Sequence, residues 1–454
     1  MLRPRRQRLR PFGMLTLVLW CWLSTRNASA EPTPEDLHST IAARATAIEA
    51  KLLAWRRDFH AHPELGNVEL RTASIVAEHL RQLGLKVKTG VARTGVVAVL
   101  DSGRPGRVVA LRADMDALPV TEATGLVFAS KDKGRYLGAE VDVMHACGHD
   151  GHTAILMAVA EVLAGMRAQL FGTIVFYFQP AEEGPSDFVP DGKNVWGAKL
   201  MIQEGAMKAP RPQAVFGLHV WAGVPAGQIT YRTGPALASS DDLHIRIVGR
   251  QTHAGRPWAG VDPIVVSAQV IMGLQTVVSR QTDLSSTPTV VSLGTIHGGT
   301  RYNIIPDAVD MDGTIRSYEA TIRRDTHAKV KRTIENIAAA GGAKAEVKLV
   351  DKYDATVNDA ALTERSLPAL RWAANGNLAA APLSSGSEDF SFMAKEAPGL
   401  FFFLGATSPR EDMAKAPSNH SPQFAIDETT LVVGVRALAA LAVDFLQAPL
   451  PAQH

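Results

Sequence analysis

The feature that most constrains this chain is a change of pattern in its middle. From residue 33 to about 225, helical periodicities alternate with short β-rich runs. Leu37, Ile41, Ala45, Ile48, Leu52 and Trp55 keep helical spacing. A second helix is predicted over 70–83, strands over 96–100 and 108–111, a helix over 152–166, and strands over 173–178 and 214–219. Such alternation predicts an α/β domain whose sheet is covered on both faces. Between 226 and 350 the predicted order becomes strand-strand-helix-strand-strand-helix, with strands over 228–232, 243–248, 289–295, 309–315 and 345–349. That order predicts a small α+β, ferredoxin-like unit inserted into the larger domain. After about 351 the α/β pattern resumes, with helices over 360–374 and 428–446. The expected division is a leader (1–30), one α/β domain in two parts (31–225 and 351–454), and the insertion (226–350). No repeat or low-complexity tract interrupts it, and 185–194 is a polar surface loop.

The leader reading rests on three features. Arg3, Arg5, Arg6, Arg8 and Arg10 form a basic start, 14–23 is a short apolar stretch, and Ala28-Ser29-Ala30 fits a small-residue cleavage site. The stretch is too short to span a bilayer comfortably. The expectation is an exported protein, periplasmic or secreted, with no membrane anchor once the leader is removed. The pair Arg5-Arg6 leaves Sec and twin-arginine export both open. Six of the 47 Lys+Arg lie in the leader and none of the 45 Asp+Glu do, so the remainder carries 41 against 45, a net charge of −4. The basic balance of the whole sequence therefore belongs to the leader, and nothing marks a nucleic-acid footprint.

Of the two cysteines, Cys21 lies in the leader, which leaves Cys147 as the one thiol of an exported chain. A lone thiol in an oxidising compartment is a liability unless it is buried, paired between chains or bound to metal. Its neighbours favour metal. Cys147 and His149 flank a glycine in 144–152 (MHACGHDGH), and a thiolate and an imidazole so spaced can reach one cation. Three further clusters fall near predicted strand ends or loops. They are Glu182 and Glu183 in 179–184 (QPAEEG), His219 in 217–221 (GLHVW), and His420 in 419–422 (NHSP). Singly each is a weak signal, but the carboxyl-end loops of a parallel sheet are where such groups converge. Adjacent side chains in extended backbone point opposite ways, so one glutamate of the pair can bind metal while the other works as a base.

Nine segments, in order, now carry a resemblance: 58–66 (DFHAHPELG), 111–119 (LRADMDALP), 144–152, 179–184, 217–221, 253–257 (HAGRP), 313–317 (GTIRS), 386–390 (GSEDF) and 419–422. The chain resembles the N-acyl-amino-acid amidohydrolase and hippurate hydrolase branch of the aminoacylase–carboxypeptidase G superfamily of dinuclear metallopeptidases. The resemblance implies two divalent metal ions, zinc or manganese, bound by Cys147, His149, Glu183, His219 and His420, with Glu182 as general base. It implies that Asp116 orients a ligand, where the residues alone also allow a turn cap for Asp114 and Asp116. Asp114 stands where the wider superfamily has a ligand histidine. Asp150 is expected to support the site in a similar way.

The insertion becomes, by resemblance, a lid and a homodimer surface. From it His253 would reach a partner's site and steady the developing oxyanion, a contribution of about 2.7–4 kcal/mol for such a donor. Asn303 and Arg316 would hold the substrate carboxylate, and Glu388 or Asp389 would contact the leaving amino group. The expected activity is hydrolysis of small N-acyl amino acids of N-acetyl or N-benzoyl type. An exported carboxypeptidase or dipeptidase is the alternative. Retention of Glu182 beside all five ligands argues against a binding protein that has lost catalysis.

Overall fold

The computed structural model describes residues 33–187, 194–283 and 285–447, together with Met1, Leu2 and Pro4. The leader reading and most of the 185–194 loop lie outside these residues. The first helices are where the apolar spacing predicts them, divided at Ile48 into Pro34–Ala47 and Glu49–Ala61, the first with a Thr33–Asp36 capping box.

The large domain is built on an eight-stranded sheet. In spatial order its strands are Lys86–Val91, Gly95–Asp101, Thr173–Gln179, Val108–Asp114, Ala214–Pro225, Gly399–Thr407, Ile229–Tyr231 and Leu378–Ala380. The four strands from Thr173–Gln179 to Gly399–Thr407 run parallel, while Gly95–Asp101 pairs antiparallel with both of its neighbours. Alternation along the parallel strands feeds two cores. Val109 and Leu111, with Ile174, Phe176 and Phe178, pack under the helices His149–Ala164 and Leu431–Gln447. Ala110, Val175 and Tyr177 face the opposite layer, which holds Met201 and Phe390 from the helices Gly197–Gln203 and Phe390–Glu396. The apolar segment Glu428–Gln447 is long enough to cross a membrane by composition, yet 78% of its apolar window is buried in this core.

The inserted unit is a four-stranded antiparallel sheet in the order Val290–His297, Ala308–Arg316, Ser240–Val248, Lys344–Tyr353. Pro263–Gln281 and Ala320–Ala340 pack on one face, around Leu243, Ile245, Val270, Met311 and Ile334. In chain order this is strand-helix-strand-strand-helix-strand, the ferredoxin-like arrangement. Two corrections to the predicted order follow. Ile229–Tyr231 pairs with Gly399–Thr407 and Leu378–Ala380, and Ile229 is buried in the main core, so the inserted sheet starts at Ser240, later than 226. Its last strand runs to Tyr353, past 350.

The helix predicted over 152–166 is His149–Ala164. Gly148 turns the chain into it with φ 92°, and a Cβ there would meet Val220 Cγ2 at 2.2 Å. Only glycine fits this turn, which brings His149 into the first helical turn against the strand Ala214–Pro225.

Candidate metal centre and active site

At the carboxyl ends of the parallel strands the predicted ligands converge. Cys147 Sγ lies 3.4 Å from His219 Nε2 and 3.2 Å from His420 Nε2, and His420 Nε2 is 2.9 Å from Glu183 Oε1. Two sets of ligand-spaced atoms share the thiol: Cys147, His149 and His219, and Cys147, Glu183 and His420.

The imidazoles are set up to bind through one nitrogen. His149 Nδ1 donates to the Asp116 carbonyl at 2.8 Å, and His219 Nδ1 to the Val220 carbonyl at 2.7 Å. The buried His149 Nε2 then has no hydrogen-bond partner. A buried imidazole nitrogen left bare while its ring partner is anchored is the arrangement of a metal ligand. Burial and the surrounding carboxylates Glu183, Glu182 and Asp114 push the Cys147 thiol well above its usual range. A cation among these groups supplies the opposite field, so the donor set fits divalent metal.

His152, which ligand spacing alone could include, is engaged elsewhere. Its Nε2 accepts from the Val220 amide at 2.8 Å, which leaves Nδ1 to donate to Asp114 Oδ1 at 2.6 Å. Asp114 also takes Arg112 Nη1 at 2.6 Å. Arg112, fully buried, reaches on to Gln179, Glu388 and Asp389.

Asp116 holds the glutamate pair by its backbone. Its Oδ1 accepts from the Glu182 amide at 3.0 Å and its Oδ2 from the Glu183 amide at 2.9 Å. Glu182 is buried, and its Oε1 accepts from the Asp389 amide at 3.3 Å. Burial raises its carboxyl well above the usual range, and Glu388, Glu183 and Asp389 raise it further. A buried carboxyl beside the candidate ligands is placed for proton transfer.

A cavity of about 540 Å³ opens over this cluster. Cys147, Glu182, Glu183, His219 and His420 line it, together with Arg316 and Lys352 of the inserted unit. Arg316 Nη1 donates to Ser387 Oγ at 3.0 Å, and Glu388 lines the same space. Four expected residues lie elsewhere. Asp389 turns away to Gln179, Arg112 and the Ala198 amide, so it is not placed to meet a leaving group. His253 lies on the small ribbon Thr252–His253 with Ile304–Ile305 and Asn303 just before it, and the Ala254 amide donates to the Asn303 carbonyl at 3.1 Å. Neither is among the residues lining the cavity of its own chain. Asp150 also faces away from the metal ligands, toward Arg56 Nε at 2.9 Å and His60 Nδ1 at 2.8 Å.

Residues 110–444 match the profile of peptidase family M20/M25/M40. The chain belongs to this family. Among its M20 relatives is thermostable carboxypeptidase 1 of Saccharolobus solfataricus, 39% identical over 90% of this chain and 99% of the relative. N-acetylcysteine deacetylase of Bacillus subtilis is 36% identical over 88% of this chain and 98% of the relative. The crystal structure of a dinuclear metal-binding M20 peptidase from Bacillus subtilis superposes with a TM-score of 0.72 at 34% identity, covering 88% of this chain and 99% of that one. This M20 protein is a metal-dependent amidohydrolase with sites for two divalent ions.

Two further residues shape the site without having been singled out as candidates from the sequence. Asn419 Nδ2 donates to the Cys147 and Val220 carbonyls, and its Oδ1 accepts from the Ala222 amide. It thereby ties three ligand-bearing segments together and fixes His420, whose φ of 71° is left-handed. Glu69 is wholly buried and accepts from the Ala181 amide at 2.8 Å. Burial and the nearby Asp116 push its carboxyl up to about 8. The segment 58–66 stops short of Glu69, and the one signal for Asn419 was its place beside His420 in the run 419–422.

Proposed function

We propose that this protein hydrolyses the amide bond of N-acyl amino acids of N-acetyl or N-benzoyl type, releasing a carboxylic acid and an amino acid. One observation carries the reading: the buried Glu182 carboxyl, beside five candidate metal-ligand side chains, lines a cavity that Arg316 also lines. The deacetylase activity in the name of a 36%-identical relative supports it. Divalent cations held by Cys147, His149, Glu183, His219 and His420 supply Lewis-acid activation of the carbonyl and of water. The thiol is common to both ligand sets, which supports Cys147 as a shared ligand, and its softness favours zinc over manganese. Glu182 takes the proton of the attacking water and delivers it to the leaving nitrogen. Arg316 pairs with the substrate carboxylate in a two-pronged hydrogen bond.

The protein works as a homodimer in this reading, with His253 and Asn303 reaching across to the partner's cavity. Two unpartnered surfaces of the insertion support this. Pro263–Gln281 is apolar yet only 33% buried, and the strand Val290–His297 pairs on one side only in its sheet. Export to the periplasm or medium rests on the basic start, the apolar stretch and Ala28-Ser29-Ala30. A mass measurement of the exported chain checks cleavage after Ala30.

A second reading, a carboxypeptidase acting on short peptides, is favoured by the name of the 39%-identical relative. Glu182→Ala is expected to abolish turnover of N-acetyl and N-benzoyl amino acids while leaving bound metal unchanged. Turnover surviving in that variant overturns the assignment of the base. Wild-type turnover confined to peptides, across a panel of both substrate classes, overturns the substrate reading in favour of the second.

A further inference from the structure

The turn that presents Glu182 and Glu183 is held in an unusual way. Three successive backbone amides, those of Ala181, Glu182 and Glu183, each donate to a buried carboxylate oxygen. Asp116 takes the last two with its two oxygens. Glu69, from the far side of the fold in sequence, takes the first. Ala181 itself has φ 49°, a left-handed conformation that an alanine keeps only where its surroundings impose it.

Glu69 has no other evident task. It is the N-cap residue of Leu70–Gln82, yet its side chain makes no capping bond there. It is 0% exposed and does not line the cavity, so it cannot meet a substrate. Its second oxygen accepts from the Thr94 hydroxyl, which fixes the carboxyl plane and aims Oε1 at the Ala181 amide. Thr94 in turn precedes Gly95, where a Cβ would meet Pro180 Cδ at 2.8 Å. The 94–95 corner, Glu69 and the 180–181 turn therefore interlock as one packed unit.

We propose that Glu69 is a positioning residue for hydrolysis: by holding the Ala181 amide it sets the left-handed turn that places the Glu182 carboxyl for proton transfer. The proposal rests on the reading of Glu182 as the general base. What matters is the acceptor oxygen at that reach. Glutamine keeps the acceptor for Ala181 and offers an amide N–H to Thr94 Oγ1, because a hydroxyl can accept as well as donate. Aspartate keeps the carboxyl group but is one methylene too short to span both partners. Alanine leaves the buried Ala181 amide without an acceptor.

The test compares Glu69→Gln, Glu69→Asp and Glu69→Ala in the full-length, metal-loaded protein, measuring kcat, KM and metal per chain. Glu69→Gln should keep kcat within about fivefold, while Glu69→Asp and Glu69→Ala lose about tenfold or more, since a misplacement of about 1 Å can cost 10²-fold. KM and bound metal should stay within about twofold of wild type wherever the protein folds, which a general loss of structure does not reproduce. Should Glu69→Ala fail to fold, the order of Gln above Asp in kcat still decides. An aspartate variant as active as the glutamine variant or more so, or an alanine variant with full kcat, overturns the proposal. Glu182→Ala run alongside separates the two claims. Turnover surviving there removes the base reading itself, whereas its loss beside activity indifferent to residue 69 removes only the role of Glu69.

Discussion

Two adjacent residues, His149 and Asp150, show how this site divides its labour. Both begin the helix His149–Ala164, and both are buried. His149 turns its bare Nε2 toward Cys147 and Glu183, while Asp150 turns the other way to Arg56 and His60. Arg56 continues to Glu428 at 3.2 Å, so Asp150 anchors the start of the metal-bearing helix to Glu49–Ala61 and to the segment before Leu431–Gln447. Removing one partner of a fully buried ion pair costs about 3–5 kcal/mol. Asp150→Asn is accordingly expected to lower unfolding stability by that amount in denaturant titration, with metal content and kcat little changed in the folded fraction. A variant of native stability that has lost metal would instead return Asp150 to the support of the ligands, as its place in the motif suggests.

Among the elements, the insertion shows what periodicity can and cannot reveal. Its helices and four strands were legible because each is long and keeps one period, as in Ser240–Val248 with Leu243, Ile245 and Ile247 inward. The strand Ile229–Tyr231 was legible as a strand but not as a member of the large sheet. Three β-prone residues carry no record of which edge they pair with, and that edge lies some 170 residues on, at Gly399–Thr407. The start of the helix at His149 was missed because it depends on the left-handed Gly148 and its contact with Val220, a tertiary cause. The same insertion carries the dimer prediction. Met272, on the free face of Pro263–Gln281, is 69% exposed, and Ile296, on the edge strand with one open side, is 51% exposed. Charges on such surfaces oppose edge pairing and apolar docking. The double variant Met272→Lys/Ile296→Lys should run as a monomer in sedimentation and, with His253 removed from its partner's site, lose most of its kcat. A monomeric double variant with full kcat would place the whole active site in one chain.

Across the whole molecule, the site is assembled from five candidate ligands on segments spread from Cys147 to His420, gathered where the parallel strands end. These were readable because each metal-binding residue type stands in a compact run near a strand end. The groups that hold them were not readable. Glu69 meets Ala181 across 112 residues, Arg112 meets Glu388 across 276, and neither pairing leaves a local pattern. Sequence therefore displayed the chemistry, and the fold supplied the buried polar framework that aims it. The central claim is that these five side chains bind two divalent cations on which turnover depends. Back-titration of chelator-stripped protein with zinc, following turnover and bound metal in the same samples, tests it most directly. Activity should rise to a plateau at two equivalents per chain, and Cys147→Ser should bind less metal and recover little activity. Full turnover in the stripped protein, or a plateau at two equivalents unchanged by Cys147→Ser, would contradict the account.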